Sequence, residues 1–317
     1  MSIYGWFAKN GPSGFGYNST AEQVTEGLSL RGKTYLVTGC NSGLGLETMR
    51  VLALRGGRVA GTARTQDKAA AACRSVGGDT VPLACELSDP ASIRACIAAA
   101  KDAGLRFDAI IANAGIMALP KLETSHGYEQ QFFTNHVGHF LLVTGLLDRL
   151  TETGRVVVLS SALHRRAPEE GIAFDNLDGS KWYDGWKSYG HSKFANVLFA
   201  KELARRLRGT KKTANVVHPG VIATNLGRHA NPIVWTVYSA LAPLLLKTIP
   251  QGAATQVYVA TNPALENVSG EYFADSNLAK ARADTDDVAL AQKLWSASEK
   301  IASELMPGRS EAVAATV

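Results

Sequence analysis

Cysteine is scarce in this chain: 4 of 317 residues, at Cys40, Cys73, Cys85 and Cys96, all in the first third. None forms a Cys-x-x-Cys pair or has a companion histidine at metal spacing, which argues against a disulfide framework or a metal site and for reduced, packed thiols. A long apolar run is also missing. The best stretch, Ile233 to Ile249, is broken by Pro243 and Lys247, short of the roughly 18 apolar residues a membrane-spanning helix needs. Met1 to Gln23 lacks the basic start and apolar centre of a secretory signal, so a cytoplasmic protein without a transmembrane segment is the expectation. Charge is nearly balanced, at +5, and the densest basic run, Arg205 to Lys212, falls where an apolar-periodic helix ends. That place suits dipole complementation and a solvated face, so no nucleic-acid partner is expected.

What is present is material for one large core, with 46% hydrophobic and 19% charged residues and no internal repeat or composition break. Disorder, collagen and coiled coil are excluded. Residues 1–31 show no clear period and contain Gly11-Pro12-Ser13-Gly14, as an irregular arm would. Short apolar runs then alternate with helical segments: Thr34–Val37, Arg58–Thr62, Val81–Leu83, Ala109–Ile111, Val156–Leu159 and Asn215–Val217, with a seventh at Glu271–Phe273. Between them Leu44–Leu54, Ile93–Ala100, Tyr128–Leu150 and Phe194–Leu207 carry apolar residues at three- and four-residue spacing. The pattern predicts an α/β fold, a single doubly wound domain over residues 32–306 with about seven parallel strands and helices on both faces. The tail 307–317 reads as loose.

Chemistry begins where the first strand runs into Thr38-Gly39-Cys40-Asn41-Ser42-Gly43-Leu44-Gly45 and then a helix. Glycines let the backbone approach a pyrophosphate, and the helix N-terminus offers free N–H groups to its charge. After the second strand comes Thr62-Ala63-Arg64-Thr65, with no acid before Asp67. An acid there would hold ribose hydroxyls and repel a 2′-phosphate; the planar fork of Arg64 suits that phosphate, which favours NADP(H) over NAD(H). Tyr189 and Lys193 stand one helical turn apart. With nine tyrosines and fifteen lysines such a pair is expected roughly 0.4 times by chance, so its placement carries the signal. A nearby ammonium favours phenolate and is expected to lower the Tyr189 pKa toward neutrality. Ser160-Ser161 ends the fifth strand, where a hydroxyl could hold a substrate oxygen.

Taken in order, Thr38-Gly39-x-x-x-Gly43-x-Gly45, Asn113-Ala114-Gly115, Asn135, Ser161, Tyr189-x-x-x-Lys193 and His218-Pro219-Gly220 resemble the short-chain dehydrogenase/reductase family over about residues 30–305. Asn135-His136-Val137-Gly138-His139-Phe140, Tyr189-Gly190-His191-Ser192-Lys193 and Ser269-Gly270-Glu271-Tyr272-Phe273 resemble its retinol dehydrogenase-like branch, and the arm from Gly11 to Glu22 is similar to plant enzymes of the chloroplast inner envelope. The resemblance implies a Rossmann-type fold and a tetrad: Tyr189 as proton donor in reduction, Lys193 holding the nicotinamide ribose and tuning Tyr189, Ser161 orienting the carbonyl oxygen, and Asn135 keeping a water relay to Lys193. It likewise implies cofactor contacts from Gly39, Asn41, Ser42, Gly43, Leu44, Gly45, Asn113, Ala114 and Gly115, and from Pro219, Gly220, Val221, Ile222 and Thr224. Two departures stand out. Glu86-Leu87 replaces the family's usual Asp-Leu or Asp-Val, so the adenine contact there is altered or made by backbone alone, and Cys40 replaces the commoner Ala.

Between Ser161 and Tyr189 lie 27 residues, including Phe174, Trp182, Tyr183 and Trp186. They either wall a roomy apolar pocket or pack the insertion itself, and the second is the expected reading. Residues 225–250 fall at the family's substrate lid, and their apolar side chains suit either an apolar substrate or a peripheral membrane contact. His164, His191 and His229 read as loop or helix-surface residues. The leading expectation is an NADP(H)-dependent carbonyl reductase or alcohol dehydrogenase with a bulky apolar small-molecule substrate; family members are often dimers or tetramers, so the resemblance allows a homo-oligomer, whose interface the 1–31 arm could block or build. The alternatives are a dinucleotide-responsive scaffold protein and a carbon–carbon double-bond reductase similar to protochlorophyllide reductases. The latter carry a cysteine after Pro-Gly where this chain has Val221.

Overall fold

The computed structural model describes residues 8–222 and 246–307. Thr224, His229 and most of the expected lid therefore lie outside the described residues, as do residues 1–7 and 308–317.

The aliphatic and β-branched runs form β1 (Thr34–Val37), β2 (Arg58–Ala63), β3 (Thr80–Ala84), β4 (Phe107–Ala112), β5 (Leu150–Leu159), β6 (Thr213–His218) and β7 (Tyr272–Ala274). These seven are parallel, and an eighth strand of two residues, β8 (Asn277–Leu278), adds antiparallel to β7 at the edge. The order β8-β7-β6-β5-β4-β1-β2-β3 reverses between β1 and β4, and a ligand crevice opens beyond the C-terminal ends of strands at such a reversal. Both faces of the sheet are covered, as uninterrupted apolar strands require. On one side α1 (Gly43–Leu54), α2 (Gln66–Val76) and α6 (Ile249–Thr261) close over Tyr35, Val37, Met49 and Val257. On the other, α3 (Pro90–Asp102), α4 (Gly138–Gly145), α5 (Gly185–Arg206) and α7 (Val288–Leu305) bury Leu36, Phe140, Phe194 and Trp295. Asp89, Asp184, Thr248 and Asp287 cap α3, α5, α6 and α7 through side-chain oxygens that accept first-turn N–H groups.

The expected single helix across Tyr128–Leu150 is instead broken. A π-helical turn, Phe133–Val137, precedes α4, and a short 3-10 turn follows it. Residues 8–33 contain one 3-10 turn, Gln23–Thr25, and are tied down by backbone bonds from Ala21 N to Pro250 O (2.9 Å) and from Leu30 N to Arg55 O (2.9 Å). All four cysteines are free and buried. No helix among the described residues is long and apolar enough to cross a membrane.

Candidate active site

The glycine turn between β1 and α1 is built around a buried hydroxyl. Thr38 Oγ1 accepts the N–H groups of Asn113 and Ala114, both at 2.9 Å, and Asn113 Nδ2 returns a bond to Thr38 O at 2.7 Å. Gln256 of α6 fixes the other end of the Asn113 amide, donating to Oδ1 at 3.1 Å. A Cβ at Gly45 would stand 2.2 Å from Gly39 O, whereas one at Gly43 would meet nothing within 4 Å. The turn is thus tightly packed beneath and open above. Ser42 precedes α1 without a side-chain cap, and no acid occupies the first turn, so the first N–H groups of α1 are left for an anion. These features fit the diphosphate of a dinucleotide. The end of β2 joins the turn through Cys40 N donating to Thr62 O at 2.8 Å, and Arg64 stands exposed just beyond it. After β3, the Glu86 carboxylate folds back to accept from Ser88 N and Ser88 Oγ at 3.2 and 2.9 Å, while Leu87 is buried in the core.

The four tetrad positions converge at the same end of the sheet. α5 is buried on all sides from Ser188 to Ala200, which places Tyr189 and Lys193 inside the molecule. Lys193 Nζ donates to Leu159 O at 3.2 Å, lies 5.8 Å from the Tyr189 ring centroid, and would be 3.4 Å from a Cβ at Gly115. The Ser161 hydroxyl faces the Tyr189 phenol and favours its phenolate, whereas Ser160 is buried and donates to Lys193 O at 2.8 Å. Ser161 is therefore the site-facing serine and Ser160 a strut. Asn135 lies within the π turn. Its side chain clasps both polar backbone groups of Ile116, accepting from N at 2.8 Å and donating to O at 2.9 Å, and it also donates to Ser192 Oγ at 2.9 Å. Burial pushes the Tyr189 phenol up to about 12, with the Ser161 hydroxyl opposing, and pushes Lys193 down to about 8. The expected lowering of the phenol is not found: removal from water outweighs an ammonium 5.8 Å from the ring.

These positions also match a known family. The short chain dehydrogenase family model matches residues 33–233, well over half the chain. The chain belongs to the short-chain dehydrogenase family. It is 40% identical to the short-chain dehydrogenase TIC 32 A, chloroplastic, of Brassica napus, over 96% of this chain and all of that protein. To human retinol dehydrogenase 14 it is 38% identical, over 85% of this chain and 86% of that one. A crystal structure of an uncharacterised Mycobacterium paratuberculosis protein superposes with TM-score 0.72 at 30% identity, covering 88% of this chain and 96% of its own. A Burkholderia cenocepacia short chain dehydrogenase in complex with NADP gives TM-score 0.63 at 25% identity, covering 78% and 97%.

Within this dehydrogenase, several supporting residues escaped the sequence reading. His139 was not singled out, yet its Nε2 lies 2.9 Å from Thr38 Oγ1 and its Nδ1 2.9 Å from Asn135 O. It joins the glycine turn to the π turn, and its four-residue spacing from Asn135 was the available signal. Contrary to expectation, His164 and His191 are buried. His191 stacks on Phe132 at 5.3 Å and accepts from Ala173 N at 3.2 Å. The aromatic insertion mostly packs on itself and its neighbours: Trp182 lies edge-on to His191 at 6.3 Å, Lys293 covers Phe174 at 4.3 Å, and Tyr183 donates to Leu119 O at 2.7 Å. Trp186 alone of the four is largely exposed, at 45%. On the far rim, Gly220 adopts φ +92°, and Ile222 pairs with Lys247 in a single bridge, with Lys247 N donating to Val221 O at 2.9 Å.

Proposed function

We propose that this dehydrogenase is an NADP(H)-dependent carbonyl reductase or alcohol dehydrogenase for a bulky, apolar small molecule. The observation that carries the reading is the Ser161 hydroxyl set against the Tyr189 phenol with Lys193 buried beside it. A phenol held near 12 remains protonated at neutral pH, so Tyr189 can donate its proton to a substrate oxygen while the Ser161 hydroxyl orients that oxygen. Lys193, with its pKa pushed to about 8, is still mostly cationic at pH 7, and its charge stabilises the phenolate left on Tyr189 after transfer. In oxidation the same residues run in reverse, Tyr189 taking the alcohol proton. Gly39 to Gly45, Asn113 to Gly115 and Pro219 to Ile222 would hold the dinucleotide, with Arg64 on the 2′-phosphate. When bound, the cofactor supplies or accepts the hydride. The structural neighbour with NADP and the retinol dehydrogenase relatives support both cofactor and substrate class.

The test is Tyr189→Phe, assayed on a panel of bulky aldehydes and ketones. Turnover should fall at least about 100-fold, the scale of a lost general acid, while NADPH affinity stays within about threefold. Near-normal turnover in the variant sinks the mechanism. Tight NADPH binding by the wild type without turnover on any panel member would favour the scaffold reading instead.

A further inference from the structure

Ser161 reaches Tyr189 on a short turn rather than on β5 itself. It caps the 3-10 turn Ala162–Arg166, its Oγ accepting from Leu163 N at 3.2 Å. Inside that turn the buried His164 ring is held at both nitrogens: Nε2 lies 3.0 Å from the backbone N of Arg282, and Nδ1 lies 2.6 Å from the carbonyl oxygen of Ser161. A backbone N–H can only donate, so Nε2 is the bare nitrogen, and the ring proton sits on Nδ1 and is donated to Ser161. The imidazole is a neutral bridge between the backbone of Ser161 and a segment 118 residues downstream of the histidine. Other bonds tie the same segments. The Arg282 guanidinium donates to Ala167 O and Pro168 O, both at 2.9 Å, pairs with Asp284 at 2.6 Å, and lies 4.3 Å over the Phe194 ring of α5. From the other side the turn presses on α5 next to Tyr189: a Cβ at Gly190 would stand 2.6 Å from Leu163 O and 3.2 Å from Arg166 C.

We propose that His164 is a positioning residue for Ser161, locking the serine's backbone to the Arg282 strap and so setting where the Ser161 hydroxyl stands against the Tyr189 phenol. The inference rests on the reading of Ser161 and Tyr189 as the pair that holds the substrate oxygen. The strap after β8 thereby becomes part of the site without touching substrate. Asparagine at position 164 can present an amide N–H near the Nδ1 position and keep the bond to Ser161 O. Glutamine reaches toward Nε2 and loses that bond.

The tautomer is read first, from the histidine ring 15N signals of the full chain, with His164→Asn used to assign the missing set. A neutral Nδ1–H ring is expected, and an Nε2–H ring overturns the proposal without any turnover assay. Kinetics with NADPH and decanal, 2-naphthaldehyde or cyclodecanone then give the functional half. His164→Gln should lower kcat about 30-fold with NADPH affinity within about threefold, and His164→Asn should recover to within about fivefold of wild type. In a Ser161→Ala background, His164→Gln should add less than about a threefold further loss, because no hydroxyl is left to place. Multiplicative losses, or glutamine outperforming asparagine, overturn the positioning role. Wild-type turnover in Ser161→Ala alone would instead defeat the underlying reading, a separate result.

Discussion

Accepting two backbone N–H groups leaves the Thr38 hydroxyl its own proton to give, and His139 Nε2, at 2.9 Å, is the partner in place to take it. The His139 Nδ1–H then faces Asn135 O at 2.9 Å. One threonine thus links the β4 exit, the glycine turn and the π turn. Thr38→Val keeps the shape but takes the acceptor from the half-buried Ala114 N–H, while Asn113 N keeps its second acceptor, Ile111 O at 3.0 Å; it should cost about 1–3 kcal/mol, read as a lower urea midpoint, and an unchanged midpoint would mean the turn relaxes to find another acceptor. Arg64 belongs to the same scale with the opposite logic, since it is exposed and supports nothing internal. Arg64→Ala should weaken NADPH binding about tenfold, as loss of a charge-assisted contact does, and leave NADH binding unchanged. Equal losses for both cofactors would remove the 2′-phosphate assignment.

At the scale of elements, legibility followed burial. β1 coincides with the run Thr34–Val37, because all of it is core or close to it. β5 starts at Leu150, well before its legible run Val156–Leu159, since its first half carries Thr151 and Glu152, which are not buried. α6 shows no apolar stripe because every residue from Gly252 to Thr261 is buried, and α2 buries only Ala69, Ala72 and Cys73, small side chains that make little contrast. The π turn was illegible for a related reason: Phe133 to Val137 is buried throughout, so one extra residue per turn leaves no mark on the pattern. The tetrad was legible as motif, but the struts around it come from contacts such as His164 with Arg282, far apart in sequence. The glycine turn offers the test at this scale. In Gly45→Ala the new methyl meets the Gly39 carbonyl at 2.2 Å, a backbone contact that cannot swing aside. The variant should lose about 2–3 kcal/mol of stability and bind NADPH more weakly, whereas Gly43→Ala meets no atom within 4 Å and carries only the strain of a side chain at φ +59°, about 1 kcal/mol, with its larger effect on NADPH. An apo-stability loss in Gly45→Ala no larger than that in Gly43→Ala would contradict the packing.

Across the whole molecule, the buried histidines make stability depend on acidity. His136, His139 and His191 are pushed from 6.5 to about 3, about 4 and about 4, in each case chiefly by burial. A histidine whose folded pKa is depressed stays neutral in the native protein while the unfolded chain takes up a proton, so stability is full above about 6.5 and is lost as pH falls toward the folded values. Near pH 5 each of the three should cost on the order of 2 kcal/mol, before most carboxylates have titrated. The urea midpoint of the apo protein should therefore drop clearly between pH 7 and pH 5. His191→Gln, which cannot take up that proton, should be less stable at pH 7 yet show a shallower fall, by close to one bound proton in the slope of stability against pH. A midpoint flat over this range, or a slope unaltered by His191→Gln, would show that these rings reach water more readily than their packing against Phe132, Phe140 and Trp182 implies.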